Sequence, residues 1–277
     1  MRKVIKMPEL PEEETVRKRL LKRLKNRKIK SINILYDNIF EGQREYVEKN
    51  IRNQTINDIQ RRGKWLIFCL DDYYLLSHLR MEGKYLYRNI GDEVQKHELV
   101  IFNIDDEFEL RYKDVRKFGK MQLIPKSELK TCVLSKLGFE PWDDKLTEDY
   151  LLKKFKLKSI SIKTALLDQS IIAGIGNIYA NEILFLSGIS PYRKCKDLTF
   201  SECTFIISNT RSVLFDAING GGTTIRSYTS EEGVSGNFQN NLYVHGRDGE
   251  SCKNCGGVIV REKINGRSAY YCKRCQK

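Results

Sequence analysis

Four cysteines near the end of the chain constrain its fold more than any other feature of the sequence. Cys252, Cys255, Cys272 and Cys275 have the spacing C-x2-C-x16-C-x2-C, in which two tight turns each offer a pair of thiolates. This spacing is typical of one tetrahedral zinc ion, whereas the remaining four of the eight cysteines are scattered singly. Two disulfide bonds are the alternative, but C-x-x-C turns in a reducing compartment favour metal. We expect one structural Zn2+, because four thiolates leave no ligand position open for a substrate.

Length and charge narrow the class of protein. The chain has 277 residues, 40% of them hydrophobic, which favours two domains with buried cores. A formal net charge of +13 favours a polyanionic partner, although a solvated basic surface is the alternative. No apolar run approaches the roughly 20 residues that span a bilayer, and no apolar stretch follows the basic start as in a signal peptide. These observations predict a cytoplasmic protein without a membrane partner.

The first half of the chain has the pattern of an antiparallel β domain. Pro11 and the acids after it indicate the first turn of a helix, because negative charge is favourable at a helix N-terminus. Short β-branched and aromatic runs then follow from residue 29 to about residue 124. Their spacing predicts a sandwich or a barrel. The clearest runs lie at residues 65–70, 73–79, 98–104 and 108–112.

After residues 137–142 the hydrophobic period becomes helical, so a domain boundary is expected between Pro125 and Asp143. The glycines at 220–222 end the last of the predicted helices, and the cysteine module closes the chain. We found no internal repeat and no low-complexity segment. The predicted helices cover residues 146–158, 163–170, 177–186 and about 201–218.

Several motifs together resemble bacterial formamidopyrimidine-DNA glycosylases, in that family's order from Met7 to the end of the chain. The motifs are MPELPEEETV (7–16), RRGKWL (61–66), SHLRMEGKY (77–85), DVRKFGKM (114–121), IKTALLDQSIIAGIGNIYANEILF (162–185), GGTTIRSY (221–228) and NGRSAYYC (265–272). The resemblance implies an α+β multidomain fold. It consists of an N-terminal antiparallel β-sandwich with flanking helices, a helix-two-turn-helix domain and a C-terminal zinc finger hairpin. The expected limits are 7–130 for the catalytic domain, 137–235 for the helical domain and 240–277 for the zinc finger.

The resemblance also implies a bifunctional DNA glycosylase and AP lyase of base excision repair. In the family an N-terminal proline attacks C1′ of a damaged nucleotide, and the resulting Schiff base leads to β,δ-elimination. Pro8 matches this nucleophile, Glu9 the acid that assists sugar opening and proton transfer, Glu12 a second acid, and Lys64 a lysine that contacts phosphate. An α-amine with a pKa of about 8 is a usable nucleophile at neutral pH. Without the resemblance, residues 8–14 indicate only a helix start and Lys64 a solvated lysine.

The nucleophile requires Pro8 to be N-terminal, because a proline inside a chain has an amide nitrogen without a nucleophilic lone pair. Removal of Met1 is unlikely before the bulky Arg2, whereas initiation at Met7 places proline second. We therefore expect Met7 to be the working start, or later processing to expose Pro8. A chain that keeps residues 1–7 would be a noncatalytic zinc-ribbon DNA-binding protein, which is one rival interpretation.

The resemblance assigns three residues to the space that a flipped base leaves in the duplex. Met81 fills that space, Arg116 hydrogen-bonds the unpaired base of the opposite strand, and Phe118 inserts beside that base. Met81 and Phe118 suit these roles because apolar groups replace the lost stacking. In a β domain Met81 and Phe118 would otherwise be expected in the core.

Three further residues match phosphate contacts of the family: Asn177, Arg267 and, with them, His78. From the residues alone, the glycines of GIGN at 174–177 let backbone approach a phosphate at a helix N-terminus, with a plain helix-helix turn as the alternative. A lone histidine near a strand is more often structural. Residues 221–236 resemble a loop that covers an extruded 8-oxoguanine, and a disordered linker is the alternative.

Three positions depart from the family pattern: Glu13 replaces an apolar residue, His245 a tyrosine and Ala269 a threonine. The second departure could alter a phosphate or site contact. The expected substrates are 8-oxoguanine and formamidopyrimidines in double-stranded DNA, bound by a monomer associated with the bacterial nucleoid. An endonuclease VIII-like enzyme for oxidised pyrimidines is the rival within the class, and PELPE, HLRM and the 221–236 loop argue against it.

Overall fold

A computed structural model describes residues 8–223 and 238–277 of the chain. The described residues form two compact units. Unit 1 contains Pro8 and Glu12–Ser135, and unit 2 contains Glu9–Pro11, Lys136–Thr223 and residues 238–277. The division after Ser135 falls within the interval in which the change of hydrophobic period predicts a boundary. The three domain limits expected from the family resemblance stay predictions.

Unit 1 is built on two antiparallel sheets. Helix α1 (Leu10–Leu24) precedes the strands, and α2 (Arg44–Ile51) follows the first of them. One sheet has the strand order β2-β1-β7-β8-β6 and the other β3-β4-β5-β9. The strands are β1 (Arg27–Ile34), β2 (Gln54–Ile56), β3 (Asp58–Arg62), β4 (Trp65–Cys69), β5 (Tyr73–His78), β6 (Lys84–Asn89), β7 (Glu98–Ile104), β8 (Phe108–Lys113) and β9 (Lys120–Pro125).

Both sheets contribute side chains to one core, which makes unit 1 a sandwich. Ile29 and Phe102 from the first sheet lie in the same buried cluster as Phe68 and Leu75 from the second. Strand β7 is central in its sheet and buried along most of its length, which explains its continuous apolar run. The predicted α+β fold with an N-terminal antiparallel sandwich is confirmed, and the barrel alternative is wrong.

Turn chemistry fixes the hairpin between β7 and β8. Asp105 and Asp106 both have positive φ, 53° and 58°. They are the two central residues of a turn that the Glu107 N–H closes on the Ile104 carbonyl at 3.0 Å, within a three-residue loop. Positive φ at both positions suits the right-handed twist of the flanking strands, and aspartate tolerates the left-handed region better than most residues. The turn sets the register in which Phe102 lies opposite Leu110.

Unit 2 is helical and ends in a two-stranded hairpin. Its helices are α3 (Glu148–Phe155), α4 (Ile162–Leu166), α5 (Asn177–Leu186) and α6 (Phe200–Asn219), and its strands are β10 (Ile259–Ile264) and β11 (Arg267–Cys272). Residues 178–185 of α5 are all buried, so this helix forms the centre of the unit. Within the described ranges, no helix is long and apolar enough to cross a membrane.

Local capping explains where the helices differ from their predicted limits. Helix α3 begins after Thr147, whose side chain accepts a hydrogen bond from the Tyr150 N–H, so the predicted start at residue 146 is too early. Helix α4 ends at Leu166, four residues before the predicted end. The Asp168 carboxylate accepts the Ser170 N–H at 3.0 Å and turns the chain there.

Candidate active site and DNA-binding residues

The residues that the sequence assigns to a site are divided between the two units. Unit 1 holds Pro8, Glu12, Lys64, His78, Met81, Arg116 and Phe118. Unit 2 holds Glu9, Asn177, Arg267 and the four zinc cysteines. Pro8 and Glu9 are consecutive in the chain, and each unit is described by itself below.

The acidic start of α1 is buried in unit 1 and does not face solvent. Pro8 is buried, Glu12 is 1% exposed and Glu13 is completely buried. Lys64 is 5% exposed in the turn between β3 and β4, where Gly63 supplies a positive φ of 58°. Lysine is rarely buried unless its charge is compensated, so the alternative of a solvated Lys64 is wrong. Its predicted contact with phosphate stays a prediction.

His78 at the end of β5 is a buried, neutral imidazole. Its Nδ1 accepts the Arg80 N–H at 3.0 Å, and its ring meets the Trp65 ring edge-on at 4.9 Å between centroids. Burial, followed by the charges of Arg80 and Lys64, lowers the pKa of His78 to about 3. Because Nδ1 is an acceptor, the ring proton lies on Nε2. A contact between His78 and phosphate stays a prediction, and it would use a neutral N–H donor.

The structure brings Met81, Arg116 and Phe118 together. The Arg116 Nη1 atom lies 3.0 Å from the Met81 Sδ atom. The Arg116 guanidinium carbon lies 4.6 Å from the centre of the Phe118 ring, within the range of a cation–π contact. Phe118 is 49% exposed and Met81 is half-buried, so the alternative that both are core residues is wrong. A cation and two apolar groups on one surface suit the filling of a gap in a base stack.

Asp114 shapes the loop that carries Arg116 and Phe118, a role that sequence reasoning missed. One Asp114 oxygen accepts the Arg116 N–H at 2.9 Å, and the other accepts the Phe118 and Gly119 N–H groups at 2.9 and 2.8 Å. Asp114 is completely buried. An aspartate followed by glycine five residues later is the signal that could have indicated this turn. A side chain at Gly119 would place its Cβ 1.9 Å from the Tyr112 hydroxyl, so glycine is required there.

In unit 2, Glu9 occupies the N-terminus of α5. Its carboxylate accepts the N–H groups of Gly176 at 2.8 Å, Ile178 at 2.8 Å and Tyr179 at 3.2 Å. Helix N-termini favour negative charge, so this arrangement satisfies three backbone donors at once. The expectation that this helix end is open to a phosphate is therefore wrong for these three N–H groups. Glycine is required at positions 174 and 176 by close contacts within unit 2. A Cβ at Gly176 would lie 2.2 Å from the Glu9 carboxyl carbon, and one at Gly174 would lie 2.4 Å from Leu10.

The carbonyl oxygen of Ser268, the residue after Arg267, accepts hydrogen bonds from two side chains of unit 2. The Ser268 carbonyl accepts the Asn177 Nδ2–H at 3.1 Å and the Lys163 Nζ–H at 2.6 Å. Lys163 also donates to the Asn181 Oδ1 at 2.6 Å and is completely buried. Burial lowers the pKa of Lys163 to about 7, while the Glu9 carboxylate raises it and the Arg267 guanidinium lowers it further. Arg267 itself is exposed at the start of β11, and Asn177 is bonded to the carbonyl of the residue that follows it.

The four predicted zinc ligands converge. Their sulfur atoms all lie within 4.8 Å of one another, with 3.8 Å between Cys252 and Cys275 and 3.5 Å between Cys255 and Cys272. A zinc ion at 2.3 Å from each of four sulfurs in a tetrahedron requires about 3.8 Å between them, so the residues fit the metal. All eight cysteines are free, so the disulfide alternative is wrong. The four cysteines hold one structural zinc ion, and none of its ligand positions is left for a substrate.

Comparisons with known proteins give the same family over the whole chain. Residues 7–121 match the formamidopyrimidine-DNA glycosylase N-terminal domain, residues 137–229 the H2TH domain of the same enzymes, and residues 249–277 a zinc finger found in FPG and IleRS. The formamidopyrimidine-DNA glycosylase of Oceanobacillus iheyensis is 43% identical over 273 residues, 98% of this chain and 98% of that protein. The chain belongs to the formamidopyrimidine-DNA glycosylase family.

Two solved structures of Lactococcus lactis FPG are similar to this one. A mutant in complex with Fapy-dG containing DNA has a TM-score of 0.92 and 38% identity, and the match covers 98% of this chain and 100% of that chain. The wild-type protein in complex with DNA containing an oxidised pyrimidine has a TM-score of 0.90 and 37% identity, with the same coverage. The predicted family, fold and zinc site are confirmed, and the protein is a DNA glycosylase of base excision repair in a family of glycosylases and AP lyases.

Two departures from the family pattern lie in the interior of unit 2. His245 is buried, with its Nδ1 2.7 Å from the Asn181 Nδ2 and its ring 4.8 Å from the Tyr270 ring between centroids. Ala269 is completely buried in β11. His245 therefore belongs to the network that includes Asn181, and both side chains are buried.

Glu182 is a further buried acid that sequence reasoning missed. Its carboxylate accepts the N–H groups of residues 243, 244 and 245 at 2.7, 3.1 and 2.8 Å. These bonds fix the segment that leads into the zinc module. Most of the predicted covering loop, residues 224–236, lies outside the described residues.

Proposed function

We propose that this member of the family excises 8-oxoguanine and formamidopyrimidines from double-stranded DNA, with the secondary amine of an N-terminal Pro8 as its nucleophile. The amine attacks C1′, the bond from C1′ to the base breaks, and the base leaves with a proton. The C1′–O4′ bond then breaks as O4′ takes a proton, which opens the sugar and leaves the Schiff base at C1′. The resulting Schiff base then permits β,δ-elimination of the strand. The proposal requires Pro8 to be the first residue, through initiation at Met7 and methionine removal or through later processing.

The observation that carries the proposal is the cluster of Met81, Arg116 and Phe118. A glycosylase must extrude its target and compensate for lost stacking and pairing, at a cost of a few kcal/mol. Met81 and Phe118 offer apolar groups for the stack, and Arg116 offers donors for the base opposite the lesion. The Asp114 carboxylate holds the loop in this shape before DNA binds, which reduces the ordering cost of binding.

The remaining site residues are assigned by chemistry. Glu12 and Lys64 lie in unit 1 with Pro8, and we assign them to proton transfer and to phosphate. Glu9 follows Pro8 directly, and we assign it to sugar opening and proton transfer. Asn177 and Arg267 are assigned to the DNA backbone, since neutral and cationic donors there position DNA without reading its sequence. We further propose that the protein acts as a monomer in the cytoplasm, associated with the nucleoid through DNA.

A comparison of two chains tests the nucleophile. A chain that begins at Pro8 should form a borohydride-trappable adduct with 8-oxoguanine DNA and cut the strand, whereas the chain that retains residues 1–7 should bind DNA without trapping or excision. Mass spectrometry after the assay must verify that the longer chain is intact. If the intact longer chain excises as fast as the shorter one, Pro8 is not the nucleophile, and Lys64 becomes the next candidate.

The substrate class has one serious rival, because the similar Lactococcus lactis protein has been crystallised with both a Fapy-dG lesion and an oxidised pyrimidine. Single-turnover excision rates on duplexes that differ only in the lesion decide between them. We expect faster excision of the oxidised purine. Faster excision of an oxidised pyrimidine from the same duplex would favour an endonuclease VIII-like enzyme.

A further inference from the structure

Two neighbouring loops of unit 1 carry the three residues assigned above to the gap in the base stack. The Met81 loop, residues 79–83, connects β5 to β6, and the Arg116 loop, residues 114–119, connects β8 to β9 and includes Phe118. Strand β5 pairs with β9 in one sheet, and β6 pairs with β8 in the other. Both loops therefore cross from one sheet to the other at the same end of the sandwich. The contact between the Met81 Sδ and Arg116 Nη1 atoms joins them at 3.0 Å.

The Tyr112 hydroxyl lies between these loops. A Cβ at Gly83, which ends the first loop, would lie 2.0 Å from the hydroxyl oxygen, and a Cβ at Gly119, which ends the second, would lie 1.9 Å from it. Tyr112 is completely buried in β8, and its ring meets the Tyr85 ring edge-on at 5.3 Å between centroids. One hydroxyl thus occupies the space that side chains would take at both positions.

The backbone conformation does not explain either glycine. At both positions φ lies outside the left-handed region, so a residue with a side chain could adopt the same backbone. At Gly83 the Leu79 carbonyl, 2.6 Å from a Cβ, excludes a side chain as the hydroxyl does. At Gly119 the three atoms closest to a Cβ all belong to Tyr112. Close approach to Tyr112 is therefore the reason for glycine at position 119.

Contact, and not hydrogen bonding, accounts for the Tyr112 hydroxyl. In the part of the chain that the structure describes, it has no hydrogen-bond partner. The neighbouring Tyr85 differs, because its hydroxyl donates to the Ser77 Oγ at 2.8 Å. A buried hydroxyl without a partner is unfavourable, and phenylalanine would avoid that cost. The size of the Tyr112 hydroxyl is therefore the property by which it acts on the two loops.

We propose that Tyr112 is a positioning residue for the cluster of Met81, Arg116 and Phe118. Its hydroxyl is a spacer that holds the Met81 loop and the Arg116 loop at a fixed separation, whereas Asp114 fixes the shape of the Arg116 loop alone. The donors of Arg116 are then aimed before DNA binds, which lowers the ordering cost of binding. This inference rests on the proposed function, because that function assigns Arg116 to the base opposite the lesion.

The first arm of the test measures how strongly the zinc-loaded full chain discriminates the opposite base. The probes are duplexes with a stable abasic-site analogue that differ only in the base opposite it, so a free amine at Pro8 is not required. The measured quantity is the ratio of affinities for the best and the worst opposite base. Tyr112→Phe should reduce this ratio about threefold to tenfold, because loss of a whole charge-assisted hydrogen bond costs about tenfold or more and a displaced Arg116 loses part of one.

Tyr85→Phe is the matched control, because it removes a hydroxyl from the buried tyrosine opposite Tyr112 in the β6–β8 pair. It leaves the completely buried Ser77 without its donor, so it should lower the Tm by about 3–10 °C and leave the affinity ratio unchanged. Tyr112→Phe should show the opposite result, a reduced ratio with a Tm within about 4 °C of wild type. A merely structural role of Tyr112 would not produce this crossed outcome.

The second arm replaces the spacer from the other side. Gly119→Ala places a methyl group where the Tyr112 hydroxyl lies, so it should force the loops out of position and reduce the affinity ratio. Combined with Tyr112→Phe, the methyl group gains the space that the hydroxyl leaves, although the ring Cζ is still only 2.8 Å away. The ratio of the double variant should therefore exceed that of Gly119→Ala by about twofold or more, which reverses the sign of the Tyr112→Phe effect.

Each outcome decides a separate point. Equal affinity ratios for wild type and Tyr112→Phe would overturn the inference, and so would a double variant that discriminates no better than Gly119→Ala. A reduced ratio with a Tm loss as large as that of Tyr85→Phe would also overturn it, because Tyr112 would then support folding and not loop spacing. If the wild type binds every duplex equally, the role proposed for Arg116 fails, and the spacer role fails with it.

Discussion

The contact between Glu9 and α5 allows a prediction with a calculable size. In Glu9→Gln, the one remaining oxygen can keep the two N–H groups of Gly176 and Tyr179, which share an oxygen in the native structure. The amide nitrogen then faces the N–H of Ile178 and leaves it buried without an acceptor. Such a loss costs about 1–3 kcal/mol. Loss of the negative charge at the helix N-terminus adds about 0.3–2 kcal/mol.

The expected total is a destabilisation of about 1–5 kcal/mol in the unfolding transition that contains α5. That should lower the Tm of this transition by roughly 4–20 °C, measured by differential scanning calorimetry on the zinc-loaded chain. The same substitution at Glu14 is the control, because its ion pairs with Arg17 and Arg61 are partly exposed and contribute about 1 kcal/mol or less. A Tm for Glu9→Gln within about one degree of the control would refute the assigned bonding of Glu9. In the chain that begins at Pro8, Glu9→Gln should also reduce excision by about 100-fold or more.

Three further outcomes are expected from the structure. Metal analysis should find one zinc ion per chain. Its removal by a chelator should unfold the hairpin, since structural zinc contributes roughly 10–16 kcal/mol to folding. A metal-free chain with the same thermogram would contradict this. DNA affinity and its salt dependence should fall in Arg267→Ala and Asn177→Ala, whichever lesion the duplex carries. By contrast, Met81→Ala and Arg116→Ala should reduce extrusion of the damaged base and discrimination of the base opposite it. A lesion-selective loss from Arg267→Ala, seen in binding titrations, would reverse these roles. Asp114→Asn should reproduce the Arg116→Ala defect at unchanged zinc content, because an amide nitrogen replaces one of the two oxygens that accept loop N–H groups. Normal discrimination by that variant would argue against the role of Asp114.

The sequence predicted helix limits and metal ligands well where the residues next to them in the chain determine them. The limits of α5, Asn177–Leu186, coincide with the predicted segment, since Gly176 ends the preceding loop and the apolar period is continuous. The zinc cysteines were predictable because spacing alone brings two ligands together in each turn. The ends of α3 and α4 were missed by a few residues, because capping by Thr147 and the turn at Asp168 depend on side-chain hydrogen bonds that apolar periodicity does not report.

Long-range polar contacts were beyond the reach of sequence patterns. The bond between Glu9 and Gly176 joins residues 167 positions apart, and the bond between Lys163 and the Ser268 carbonyl joins residues 105 positions apart. A glycine-rich turn before a helix indicates close approach of another group, but it does not say which group. Here a carboxylate of the same chain occupies the helix N-terminus for which a phosphate was predicted. Family resemblance identified Glu9 as a site residue and gave no indication of this second, structural role.

The acidic run after Pro11 shows most clearly why a local argument is incomplete. Negative charge is favourable in the first turn of any helix, and that reasoning applies equally to Glu12, Glu13 and Glu14. In the structure Glu12 is 1% exposed, Glu13 is completely buried without a hydrogen-bond partner, and Glu14 pairs with Arg17 at 2.7 Å and with a second arginine at 3.2 Å. Their surroundings create these differences, because Glu12 and Glu13 lose water on burial, whereas Glu14 pairs with Arg17 of the same helix and with Arg61 of β3. Glu12→Gln should therefore remove a proposed site acid. Glu13→Gln should remove a pH-dependent cost to the free energy of folding, whereas Glu14→Gln should remove only a partly exposed ion pair.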